Sequence, residues 1–176
     1  MKSSLSHQQA LGKAGVDFVG DLTGGQIQAG NCSYDLLFDS TRFEIKTSWL
    51  WLSQEENSTN PSWAFCSPLK PVHWIILVGS WRLANGLGTR SYRFEEENGA
   101  IGEVVVRDRG PLIVAPWLFL FTMDEALQNG LQSKSTIRYT PGNGHGKWFK
   151  FLNDHRISEA GLMVKSVCRD FLIPVL

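Results

Sequence analysis

Three residues whose types and spacing could do chemistry stand close together early in the chain: Asp35, Glu44 and Lys46. Two runs rich in aromatic and aliphatic residues, Tyr34 to Phe38 and Arg42 to Ser48, flank the polar pair Asp39-Ser40. The segment therefore reads as two antiparallel strands joined by a tight hairpin. Side chains alternate faces along a strand, so Glu44 and Lys46 share one face while Phe43 and Ile45 take the other. A loop of two or four residues centred between Asp39 and Ser40 sets Asp35 directly opposite Glu44. Cβ atoms in such a pair are roughly 4.5–5.5 Å apart, and two carboxylates at that range repel unless a cation joins them. Converging carboxylates beside a lysine make a hard-oxygen site suited to Mg²⁺, with Mn²⁺ as a substitute. On a solvated sheet face the same trio would instead form an ion-paired ladder with no ligand.

The neighbouring elements bear on those two readings. Ser6-His7-Gln8-Gln9 has capping-box spacing. Leu11, Ala14, Gly15, Phe18 and Leu22 then follow helical periodicity up to a stop at Gly24-Gly25. Asp17 and Asp21 flank that apolar face on one side of the helix. Residues 26–34 read as an extended segment entering the hairpin, and 53–62 as a polar loop. Trp63 to Cys66 and Val72 to Trp81 read as strands separated by Pro68 and Pro71. The second is apolar enough to lie near the centre of a sheet, with His73 as a satisfied core histidine at its start. Short strands are expected at Tyr92-Arg93-Phe94 and at Glu103 to Val106. Pro111 to Phe121 fits a buried strand, a core helix or an oligomer contact, and periodicity does not choose. A short helix over Asp124 to Leu131, a flexible loop over Thr140 to Trp148 and an amphipathic helix over Ser158 to Phe171 complete the chain.

A helix, a hairpin carrying Asp35 and Glu44-Ile45-Lys46, and then an apolar strand resemble the core of the PD-(D/E)XK nuclease superfamily. Its signature is an acidic residue ending one strand and an acid-x-lysine triplet on the next. Tyr34 stands where the motif usually has proline. The resemblance covers residues 6–81. It implies an α/β fold with a restriction-endonuclease-like core, a central mixed β-sheet flanked by helices, in one domain over residues 1–176. It also implies Mg²⁺ held by Asp35, Glu44 and the Ile45 backbone carbonyl, with Asp17 or Asp21 presenting a further acid from the helix. Lys46 would hold the attacking water or stabilise the phosphate. The expected activity is metal-dependent DNA endonuclease cleavage of double-stranded DNA, as a site-specific restriction or homing-type enzyme acting as a homodimer or higher homo-oligomer. The alternatives are a structure-selective repair or junction-resolving nuclease and a non-catalytic DNA-binding module on a degenerate nuclease fold.

Bulk properties are compatible with one intracellular domain. The 176 residues are 43% hydrophobic, enough for a core, and 19% charged, which argues against disorder. Net charge is zero, so any DNA-facing surface must come from local clustering. Residues 131–176 carry the basic excess, and Arg138, His145, Lys147 and Lys150, with Ser48 from the hairpin, are the candidate DNA contacts. The C-terminal part is accordingly expected to contact DNA or to dimerise. Cys32, Cys66 and Cys168 have no metal-type spacing and fit a reducing cytoplasm. No apolar stretch is long enough to span a membrane.

Overall fold

The computed structural model describes residues 7–49, 62–81, 91–95, 98–99, 101–105, 113, 115–142, 144–168 and 171. The hairpin forms where expected, from β2 (Leu36–Phe38) and β3 (Thr41–Trp49). Phe38 pairs with Thr41, so Asp39 and Ser40 alone make the turn, with φ of 43° and 68°. Positive φ at both central residues is the primed two-residue turn, whose twist matches that of the strands. This fixes the register, and the register fixes which residues face each other.

The remaining strands extend this hairpin into a six-stranded sheet. Its order is β1 (Gln26–Ile27), β2, β3, β5 (Trp74–Ser80), β8 (Trp117–Thr122) and β10 (Arg156–Ile157). β3 and β5 run parallel while every other neighbour pair is antiparallel, which makes the sheet mixed. Every residue of β5 is buried, as its continuous apolar run demands of a central strand. The ambiguous run before residue 122 resolves over Trp117–Thr122 as a buried strand beside β5. β4 (Trp63–Cys66) does not join this sheet; it pairs with β9 (Thr136–Tyr139) in a two-stranded one. β6 (Ser91–Glu95) and β7 (Ile101–Val105) form a separate hairpin.

Two apolar clusters, one on each face, hold the layers together. On one face Phe43, Ile45, Ile76, Val78, Leu118 and Leu120 pack with Val19 of α1 (His7–Thr23) and Leu162 of α4 (Glu159–Cys168). On the other, Ile75, Leu77, Phe119 and Phe121 pack with Trp63, Phe65, Ile137 and Tyr139 of the small sheet. Ala126 of α2 (Met123–Gln128) and Leu152 of α3 (Lys147–Asp154) close that layer. The fold is thus α/β, with a mixed central sheet flanked by helices.

Helix ends follow local chemistry. α1 stops where the Gly24 N–H bonds the Gly20 carbonyl, with Gly24 at φ 72° in the left-handed region that glycine enters without penalty. α2 starts with a capping box: Thr122 Oγ1 accepts from the Glu125 N–H at 3.1 Å, and Glu125 Oε2 accepts from the Thr122 N–H at 2.8 Å. The Thr140 to Trp148 segment is shorter as a loop than its composition predicts, because α3 begins at Lys147. No helix among the described residues is long and apolar enough to cross a membrane.

α1 approaches β3 at Gly15. A Cβ there would lie 1.8 Å from Thr47 Oγ1, so glycine is required for this distance of approach. Gly15→Val should cost about 1–3 kcal/mol through overpacking, read as a lower urea midpoint with an unchanged slope. An unchanged midpoint would contradict the close contact.

Candidate active site

The last β2–β3 pair is Leu36 with Phe43, and Asp35, just before it, lies near enough to Glu44 for their charges to interact. The Asp35 N–H bonds the Phe43 carbonyl at 2.9 Å, and its Oδ2 accepts from the Ile45 N–H at 2.8 Å. The carboxylate therefore takes the place that β2 backbone would fill if the ladder continued. This bond also fixes where the Asp35 side chain sits. A residue's N–H and C=O leave the same edge of a strand, so the Ile45 carbonyl faces that edge too, beyond the last β2 pair.

Glu44 is the unusual member. It has no solvent exposure, although it is a carboxylate on a β-strand. It pairs in register with Ile75 of β5, so its side chain enters the layer filled by Ile75, Leu77 and the small sheet. The Lys46 ammonium lies 2.6 Å from Glu44 Oε1, and a second ammonium, that of Lys70, lies 3.0 Å from the same oxygen. Neither approach has the alignment of a full hydrogen bond, and among the described residues Oε2 has no hydrogen-bond partner. Burial pushes the Glu44 carboxyl above its ordinary pKa, and the neighbouring Asp35 charge adds to that rise. The two lysines act in the opposite sense without cancelling it.

Sequence reasoning missed Lys70. The signal was its place between Pro68 and Pro71, just before the central strand, where restricted backbone gives a lysine a defined position. The connection that carries it is tied down on both sides. Ser67 Oγ donates to the Gln132 carbonyl at 2.6 Å, and the His73 N–H donates to the Arg42 carbonyl at 3.0 Å. His73 is exposed rather than in the core, and its Nδ1 accepts from the Arg42 N–H at 3.0 Å.

The other residues singled out in the sequence fall elsewhere. α1 covers the Phe43, Ile45 and Thr47 face, opposite the Glu44 side chain. Asp17 there pairs with Lys13 at 2.6 Å, and Asp21 is exposed. Among the described residues no group of three His, Cys, Asp or Glu comes together as metal ligands, so neither Asp17 nor Asp21 joins the carboxylate pair. Ser48 is buried; its hydroxyl accepts from the Ala64 N–H at 3.0 Å and donates to the Trp49 carbonyl at 3.2 Å. It joins β3 to β4 and does not face outward as a DNA contact. Arg138 on β9, His145, and Lys147 and Lys150 of α3 are exposed, on the same side of the main sheet as Glu44. The three cysteines are free and exposed.

The residues fit a hard divalent cation. The acids near the end of β2, Asp35 and Glu44, offer oxygen donors, and Glu44 Oε2 is buried without a hydrogen-bond partner among the described residues. Two carboxylates and a carbonyl are few ligands, which suits Mg²⁺, an ion that keeps several waters. No family model matches the chain, and neither a characterised protein nor a solved structure is detectably similar to it.

The raised Glu44 pKa gives a pH signature. A carboxyl whose pKa is higher folded than unfolded contributes stability that is fully present below the unfolded value and is lost as pH rises through the folded one. Glu44→Gln removes this loss. Its melting temperature should exceed that of wild type at pH 8, each kcal/mol being worth about 2–4 °C at this size, and the gap should close toward pH 4. A wild type more stable than Glu44→Gln at pH 8 would contradict the assignment.

Proposed function

We propose that this protein is a metal-dependent DNA endonuclease of the restriction or homing type, with Asp35, Glu44 and Lys46 as its reactive centre. One observation carries the reading: among the described residues, a completely buried glutamate keeps one carboxylate oxygen unpartnered next to a second acid and two ammonium groups. An ordinary ion-paired ladder would lie in water, where ionised groups are solvated at little cost. Burial of an incompletely paired charge opposes folding, and such strain is expected where a ligand is to be bound.

In this reading each residue has a separate task. Asp35 and Glu44, with the Ile45 carbonyl, form the oxygen donor set for Mg²⁺, for which Mn²⁺ can substitute. The ion would neutralise phosphate charge and acidify a water. Asp35 is fixed for this by the Ile45 N–H, so one carboxylate oxygen orients the group while the other remains for a ligand. Lys46 follows Glu44 by two positions on the same strand face, and its ammonium, 2.6 Å from Glu44 Oε1, would hold an attacking water or a phosphate oxygen beside the ion. Cutting both strands of a duplex calls for two such sites, hence a symmetric dimer. Arg138, His145, Lys147 and Lys150, exposed on the same side, are the candidate backbone contacts, with a charge that screens strongly with salt.

The Lys46–Glu44 ion pair at 2.6 Å favours one other reading, a non-catalytic DNA-binding module in which that pair is purely structural. Incubation of supercoiled plasmid with Mg²⁺ or with EDTA separates the two. Wild type should linearise or fragment the plasmid with Mg²⁺ and leave it intact with EDTA. Glu44→Ala should be inactive, and Lys46→Ala slower by on the order of 10²–10³-fold. Plasmid left intact by wild type under all metal conditions, or cleavage indifferent to Glu44→Ala, contradicts the nuclease reading.

A further inference from the structure

Resting on that reading of the site, we propose that Lys70 is a fourth member of it: an internal cation that occupies Glu44 until a divalent ion displaces it, and then contacts the phosphate of bound DNA. The connection between β4 and β5 puts Lys70 there. Its backbone lies between two prolines, its carbonyl accepts from the Val72 N–H at 2.8 Å, and the flanking Ser67 and His73 are anchored to Gln132 and Arg42. The ammonium thus reaches Glu44 from a tethered loop, 3.0 Å from Oε1, while its side chain keeps 38% exposure. That combination of a fixed stem and a partly solvated head suits a group that changes partner.

Charge counting gives the direction of the change. Asp35 and Glu44 carry two negative charges, Lys46 and Lys70 two positive ones, so the cluster is balanced as it stands. A divalent ion on the same carboxylates leaves two positive charges in excess within a few ångströms. Like charges at that range repel, so an ammonium must leave Glu44. Lys46, 24% exposed and on the same strand as Glu44, is the more enclosed of the two; Lys70 is the freer. The excess is what an anionic phosphodiester offsets, so released Lys70 and substrate have complementary needs. Ion and DNA would then bind cooperatively, since the ion frees the lysine that the phosphate receives.

The test uses the full chain with Mn²⁺ as the probe ion, its binding followed by electron paramagnetic resonance, together with kcat/KM for plasmid cleavage. Lys70→Met should bind Mn²⁺ roughly 5-fold more tightly or better, the scale of one unit charge removed at about 4 Å even with water-like screening. The same variant should lose roughly tenfold in kcat/KM, as for one charge-assisted contact. Lys70→Arg should lie near wild type on both measures. A lysine that merely props Glu44 in place would give the reverse, weaker Mn²⁺ binding in Lys70→Met, and that result overturns the proposal, as does an unchanged affinity. Unchanged kcat/KM with tighter Mn²⁺ binding overturns the phosphate contact. Glu44→Gln distinguishes the deeper failure: if it binds Mn²⁺ as wild type does, the site itself is misassigned, whereas loss of binding there with no effect at Lys70 refutes only the role of Lys70.

Discussion

A carboxylate with no access to water is costly to keep ionised, and the arrangement around Glu44 follows from that cost. Nothing apolar about its neighbours requires an acid at this place. Ile75 and Leu77 beside it belong to a hydrophobic layer that a leucine would also extend. What surrounds it is two ammonium groups on one oxygen, from Lys46 of β3 and Lys70 of the loop before β5, and a second acid, Asp35, nearby. Such partners reduce the penalty without removing it, since burial still raises the carboxyl pKa. The chain thus gives up stability at one buried point, and on the proposed reading a bound cation would recover it at the oxygen that has no partner among the described residues.

The rest of the fold serves to hold this point still. The turn at Asp39-Ser40 sets the hairpin register, and β5 clamps β3 from Phe43 to Trp49 through seven parallel pairs. Gly15 lets α1 lie directly on the opposite face at Thr47. Ser48 ties β3 to the small sheet, and the proline-bracketed loop after β4 brings Lys70 back over the site. A position supported from two faces and two edges is one where a shift of a side chain by an ångström is resisted, which is the condition for a preorganised site.

Much of this was legible in the sequence because it depends on local rules. Period-two alternation put Glu44 and Lys46 on one face, the short polar break predicted the turn, and the apolar run at residues 74–80 marked the central strand. The parts that were not legible depend on long-range pairing. β4 was readable as a strand, but its partner is β9, some seventy residues later, a four-residue stretch too short for its alternation to stand out. Lys70 gave only the weak signal of two flanking prolines, and its distance from Glu44 follows from how β4 and β5 connect. α1 looked able to bring an acid to the site, but its position on the opposite face and the Lys13 pair occupy Asp17. By contrast, the Thr122-x-x-Glu125 box was a readable start signal for α2 that composition around it obscured.

The most direct measurement of the central claim is anomalous diffraction from crystals of the protein soaked in Mn²⁺. The account requires a peak at the end of β2 roughly 2–2.5 Å from carboxylate oxygens of both Asp35 and Glu44, with Glu44 Oε2 among its ligands. It also requires the Lys70 ammonium to have moved off Glu44. A site that stays free of Mn²⁺ while both lysines remain on Glu44 would contradict it, and would make the buried ion cluster a structural feature alone.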